Sequence, residues 1–165
     1  MTAVAMGIFL ATIDGSIVNI ALPTLQIDLQ TSFSMVQWVV LGYLLTIAVL
    51  LLSIGRWADM VGKKRIYTVG YAIFTTGSLI CGMSTSIGML IAARIFQAIG
   101  GAMMMALGTA IITENFPASE RGMALGISGL MVSLGIIAGP TLGGLILGSF
   151  TWHWIFFVNL PIGVI

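Results

Sequence analysis

Charge is what this sequence has least of. Six basic and five acidic residues make up 7% of the 165 residues. A soluble domain usually carries about a quarter charged residues, so this chain has too little polar material to cover a water-facing surface. A single cysteine, Cys81, excludes an internal disulfide or a CxxC metal site. Inside an apolar run it reads as a small packing residue. The single histidine, His153, leaves no Ser/His or Cys/His pair, and no paired carboxylates appear, so nothing points to an enzyme. Most basic residues form one short cluster and not a surface, so nucleic-acid binding has no support.

What is abundant is apolar: 59% of the residues. A helix that crosses a bilayer needs about 20 mostly apolar residues. Five complete spans are predicted, at 3–22, 35–53, 66–83, 88–113 and 123–147, and a sixth runs from 154 to the last residue, 165. The runs are continuous and do not alternate with period two, which favours helices over barrel strands. The first run lacks a basic leader and an Ala-x-Ala-like site and contains Asp14, so it reads as a mature span and not a signal peptide. The expected fold class is an all-α membrane protein whose partner is the lipid bilayer.

The polar breaks alternate. The second carries Arg56, Lys63, Lys64 and Arg65, and the fourth carries Arg121 with Glu114 and Glu120, while the first, third and fifth carry no Lys or Arg. The positive-inside rule therefore places the second and fourth breaks, and the N-terminus, in the cytoplasm. Ser34 and Gln37 have capping-box spacing at the start of the second helix. Trp38, Trp152 and Trp154 fall near outer ends, where indole favours the interface. His153, between two of them, reads as an interfacial anchor, with proton handling as the alternative.

Two ionisable groups lie within predicted spans, Asp14 and Arg94. Each costs roughly 2.5–3.5 kcal/mol at a helix centre, which makes them functional candidates. An ion pair that merely holds helices together is the competing explanation. Gln97 and Gly101 share the helix face of Arg94. The guanidinium can hold a carboxylate there, modulating its proton affinity, or an anionic substrate. Thr12, Ser16 and Asn19 form a polar stripe on the first helix, with Asp14 on another side.

On the fifth helix, Ser128, Gly135, Gly139 and Gly143 lie on one face and allow close helix approach, and Pro140 invites a kink. Ordinary packing explains these glycines equally well. In the second break, Gly55 and Gly62 frame a turn in which Asp59 sits among four cations, within reach of a helix N-terminus. The run Met103-Met104-Met105 suits either packing or an adaptable pocket.

Five segments, in order, carry a resemblance. Asp14-Gly-Ser-Ile-Val-Asn-Ile-Ala-Leu-Pro23, the loop Gly55 to Lys64, Arg94-Ile-Phe-Gln-Ala-Ile-Gly-Gly101, Gly135-Ile-Ile-Ala-Gly-Pro-Thr-Leu-Gly-Gly144 and Trp152-His-Trp-Ile-Phe-Phe-Val-Asn-Leu-Pro-Ile-Gly163 span nearly the whole chain. Together they resemble the N-terminal half of a major facilitator superfamily transporter, of the fourteen-helix drug:proton antiporter type known as EmrB/QacA. The resemblance implies proton-coupled export of lipophilic or amphipathic compounds by alternating access across the cell membrane. It implies no cofactor, the proton gradient being the energy source. Asp14 and Arg94 would serve proton coupling. Gly55, Asp59, Gly62, Lys63 and Lys64 would form the gating loop. Gly135, Gly139, Pro140, Gly143 and Gly144 would form the antiporter motif, and Asn19, Gln97 and Gly101 would lie on a substrate pathway. Met60 stands where the loop motif usually has a basic residue that pairs with a cytoplasmic acid, and His153 where Arg is frequent. Such transporters have two bundles, with the substrate site between them. Truncation is therefore the expectation, with a completing chain as the alternative. A metabolite symporter of the same fold and a non-transporting remnant or scaffold remain as other readings.

Overall fold

The structure is a computed structural model and describes residues 2–163. Five long helices follow one another: α1 (Thr2–Asp28), α2 (Phe33–Val61), α3 (Lys63–Gly82), α4 (Ile87–Asn115) and α5 (Ala118–Ser149). Two short ones close the described chain, α6 (Trp154–Phe157) and α7 (Asn159–Gly163). Among the described residues there is no strand. The fold class is thus the all-α bundle expected from the apolar runs.

The connections show why each helix stops. Past α1, Gln30 takes a left-handed φ of 47°. Thr31 N–H bonds the Gln26 carbonyl and Gln30 N–H bonds that of Ile27, which is a Schellman closure. At α2 the capping hydroxyl belongs to Ser32, which accepts from Met35 N–H at 3.3 Å. Ser34, expected as the cap, lies within the first turn instead. Between α2 and α3 only Gly62 is non-helical, at φ 106°, a conformation that L side chains rarely adopt. Gly55, expected in the same turn, is inside α2. The α4 helix ends at Phe116, whose extended backbone suits the residue before a proline. Pro23, expected to open the first loop, lies within α1, which continues to Asp28.

Four helices, α1, α2, α4 and α5, are long and apolar enough to cross a membrane. The exception, α3, is diluted by its three leading basic residues and by its Thr, Gly and Ser content. Its small residues serve packing. A Cβ on Gly77 would stand 2.6 Å from Cβ of Gln97, so the α3 and α4 backbones are close there.

The helix α4 lies along both α2 and α3, and α1 lies along α5. Two apolar clusters fill the bundle ends. One joins Val4, Ile54, Tyr67, Leu107 and Ile112. The other joins Ile17, Leu25, Val39, Leu90, Trp152 and Phe156. Trp152, expected at the lipid interface, is buried in the second cluster, whereas Trp38 and Trp154 are half exposed. Met103 and Met104 are buried and Met105 is exposed, a packing pattern and not a pocket lining.

The glycine face of α5 is spent on α1. A Cβ on Gly139 would land on the Ser16 hydroxyl and 3.0 Å from the Ile17 backbone nitrogen. Ser16 Oγ donates across the same contact to the Gly135 carbonyl at 2.9 Å. Gly144 has open space instead. Gly139→Leu is therefore expected to destabilise the protein by about 1–3 kcal/mol through overpacking. Gly144→Leu should leave the melting temperature in detergent near the wild-type value. Equal losses in the two variants would show that this face does not meet α1.

Candidate functional site

Between the two apolar clusters lies a buried polar cluster drawn from five helices. Asp14 comes from the middle of α1, and Arg94 and Gln97 come from α4, seven or more residues past its start. At 1.5 Å per residue this puts Arg94 about 10 Å inside the helix end. Tyr43 is contributed by α2, Ser78 and Cys81 by α3, and Asn159 by α7. Asp14, Arg94, Gln97 and Ser78 are completely buried.

Arg94 Nη1 meets Asp14 Oδ2 at 2.5 Å. The same nitrogen donates to Gln97 Oε1 at 2.7 Å, and Arg94 Nε donates to the Val39 carbonyl at 3.3 Å. One turn further along α2, the Tyr43 ring lies beneath the guanidinium, 4.0 Å from Cζ to centroid. Phe156 is more distant, at 5.8 Å. Asp14 Oδ1 accepts from Gln97 Nε2 at 3.0 Å and from Asn159 Nδ2 at 2.7 Å. Ser78 Oγ accepts from the same two amides, at 2.6 and 3.2 Å. The Cys81 thiol donates weakly to Gln97 Oε1 at 3.7 Å.

A buried ion pair survives only when good geometry and further hydrogen bonds offset desolvation. Here both carboxylate oxygens and three sides of the guanidinium are occupied. Tyr43 contributes its ring alone: among the described residues its hydroxyl finds no hydrogen-bond partner. Tyr43→Phe should therefore leave stability unchanged or raise it, by up to about 1–3 kcal/mol, since an unsatisfied buried hydroxyl carries an uncompensated desolvation cost. Tyr43→Leu should lose the cation–π contact, worth about 0.5–2 kcal/mol. Thermal melts of both variants check this; equal damage would mean that the hydroxyl is bonded.

The loop residues form a second group at the far end of the bundle. Lys63 Nζ pairs with Asp59 at 3.2 Å and with Glu114 at the end of α4. Asp59 therefore clasps a lysine one turn on; the N-terminus of α3 carries no side-chain cap. Met60, where the resemblance leads one to look for a basic residue, is exposed. The hydrogen bonds that Lys63 donates, to Glu114 first and then to Asp59, raise the pKa of its ammonium above the ordinary value. This contribution is present at neutral pH and fades as the pH rises through the raised value. Lys64 is exposed. A groove of about 1310 Å³ opens here, lined by Asp59, Lys63, Tyr67 and Glu114 among others, and none of its lining belongs to the Asp14 cluster.

The remaining expected site residues scatter. Asn19 is exposed and turned to its own helix, donating to the Gly15 carbonyl. Gly101 is buried beneath Tyr43 and Ile47. None of Asn19, Gly101 and Gln97 is among the residues that line the groove at the Lys63 end. Gly135, Gly139 and Gly143 meet α1, and Pro140 faces outward on an uninterrupted α5. His153 stacks on Trp152, with ring centroids 3.7 Å apart. Sequence reasoning missed Asn159, Ser78 and Tyr43 as members of the cluster.

Long apolar helices around a fully buried Asp–Arg pair define a polytopic membrane protein with an intramembrane charge centre. The chain belongs to the Major Facilitator Superfamily, a family of membrane transporters, whose profile matches residues 4–165. It is 46% identical to the riboflavin transporter RibZ of Clostridioides difficile over 98% of this chain and 36% of that protein. It is 40% identical to the multidrug resistance protein Stp of Mycobacterium tuberculosis, over 100% of this chain and 31% of that protein. A further relative, at 40%, is the putative multidrug resistance protein MdtD of Pectobacterium carotovorum, matched over 98% of this chain and 35% of that protein. The chain thus spans about a third of the length of these relatives. The fold is similar to the crystal structure of a bacterial homologue of the human lysosomal transporter Spinster, inward-facing and occupied. That match has a TM-score of 0.80 at 23% identity and covers 98% of this chain and 40% of the other.

Proposed function

We propose that this chain forms the N-terminal bundle of a proton-coupled exporter of lipophilic or amphipathic compounds. It works by alternating access against a second bundle, with no cofactor. The observation that carries this reading is the Asp14–Arg94 pair, completely buried between apolar clusters. Charges are expensive in a membrane interior and mark ion pathways there. Asp14 takes up and releases the coupling proton, and Arg94, which cannot lose its own, organises that exchange. Gly55, Asp59, Gly62, Lys63 and Lys64 gate the cytoplasmic side, where Lys63 joins α2 to the end of α4. Gly135, Gly139 and Gly143 hold α5 on α1, which leaves Pro140 and Gly144 on its outward side for the interface with the second bundle. The N-terminus lies on the cytoplasmic side of the cell membrane, a reading that the basic loop residues support.

Relatives named for multidrug resistance support a broad range of lipophilic cargo. The riboflavin transporter, at 46% identity, favours a second reading in which the cargo is a flavin. Proteoliposomes of the full-length protein separate these readings, with ethidium and riboflavin as probes under an imposed pH gradient. Movement of ethidium against the direction of proton flow is expected. Riboflavin movement alone selects the second reading, and movement of either probe with the protons rejects export.

A further inference from the structure

Hydrogen-bond accounting around Asp14 shows a conflict built into the cluster. Each of its partners donates: Arg94 to Oδ2, and Gln97 and Asn159 to Oδ1. An ionised carboxylate can only accept, so the three suit it. A carboxylic acid has an O–H that needs an acceptor, and none of these three groups offers one as placed.

Two of the partners are unable to yield. A guanidinium has no acceptor atom and keeps its proton. The Gln97 amide oxygen is held by Arg94 at 2.7 Å and by the Cys81 thiol. Turning that amide would set NH2 against the guanidinium and withdraw its donation to Ser78. Asn159 differs. The partners of its amide nitrogen are Asp14 and Ser78, and it begins a five-residue helix. Val158 alone separates it from α6, and Val158 N–H still bonds the Trp154 carbonyl. The helical ladder loses a bond at Pro161, which has no N–H for the Phe157 carbonyl.

The other groups facing Asp14 are Tyr43 from α2 and Cys81 from α3. The ionisable residues of α5, Glu120 and Arg121, sit in its first turn, and His153 precedes α6, stacked on Trp152. None of these three hydrogen-bonds Asp14.

We propose that Asn159 is the positioning residue through which protonation of Asp14 is transmitted to the segment 154–163. This rests on Asp14 as the proton carrier. With Asp14 ionised, Asn159 ties α7 to α1. When a proton from water binds Asp14, Asn159 turns its carbonyl to the new O–H or leaves, and the tie changes with it.

Amide hydrogen exchange of the full-length protein in nanodiscs, corrected for intrinsic pH dependence, reads this directly. In the wild type, protection of 154–163 should fall about tenfold on acidification, the worth of one hydrogen bond to a charged group. Asp14→Asn and Asn159→Ala should each remove the pH step. A step that persists in Asn159→Ala, or no step in the wild type, overturns the inference. Should Asn159→Ala fail to fold, Asp14→Asn decides alone, because a surviving step there has the same meaning. Ethidium and riboflavin transport by Asp14→Asn keeps the two claims apart. Lost coupling with an unchanged step overturns the inference and leaves the proton reading standing. Retained coupling overturns the proton reading and the inference with it.

Discussion

Asp14→Asn should reduce gradient-driven movement of ethidium or riboflavin to the level of protein-free liposomes, while the protein still inserts into the membrane. Asparagine preserves the shape of the side chain and one acceptor oxygen for Gln97 and Asn159. It cannot carry a proton, and it presents NH2 to Arg94 where Oδ2 now stands. Exchange of unlabelled for labelled probe without a gradient should persist, since this needs only alternating access. That combination separates loss of coupling from loss of fold. Gradient-driven movement at the wild-type rate would remove Asp14 from the mechanism.

The second large effect concerns stability. Arg94→Met should destabilise the protein by about 3–5 kcal/mol, the usual cost of removing one partner from a buried pair. Asp14 would keep its donors Gln97 and Asn159 but lose the one cation among the described residues within hydrogen-bonding distance. The Val39 carbonyl and the Tyr43 ring would lose their partner as well. Thermal unfolding in detergent is the readout. A melting temperature equal to that of the wild type would mean that the cluster is open to water and the pair contributes little.

Much of the fold is visible in the sequence because bilayer physics is severe. Apolar runs of the right length have few alternatives to helix, and the five long helices stand where those runs are. Helix ends are less visible. Pro23 looks like a stop, yet α1 continues past it, since the freed carbonyl at Asn19 costs one hydrogen bond and not the helix. Gly55 looks like part of a turn, but Gly62 alone supplies the required φ.

Within the site, Asp14 and Arg94 are conspicuous as charges in apolar runs. Their mutual contact is not, because a one-dimensional pattern carries no register between helices eighty residues apart. Asp14 and the Ser16 stripe do point to different neighbours, Arg94 on α4 and Gly135 on α5. Asn159 escaped notice within an aromatic run near the end of the sequence. A polar amide among apolar residues two positions before Pro161 is the available signal. Tyr43 and Ser78 carry no comparable mark, because hydroxyls are common in membrane helices and usually bond their own backbone, as Thr12 and Thr46 do here.

A double-mutant cycle on thermal unfolding tests most directly whether Asp14 and Arg94 stabilise each other inside the bundle. Asp14→Asn and Arg94→Met should each lower the melting temperature. The double variant should recover most of the loss, because it buries no unmatched charge. Losses that simply add would contradict the pairing on which the site is built.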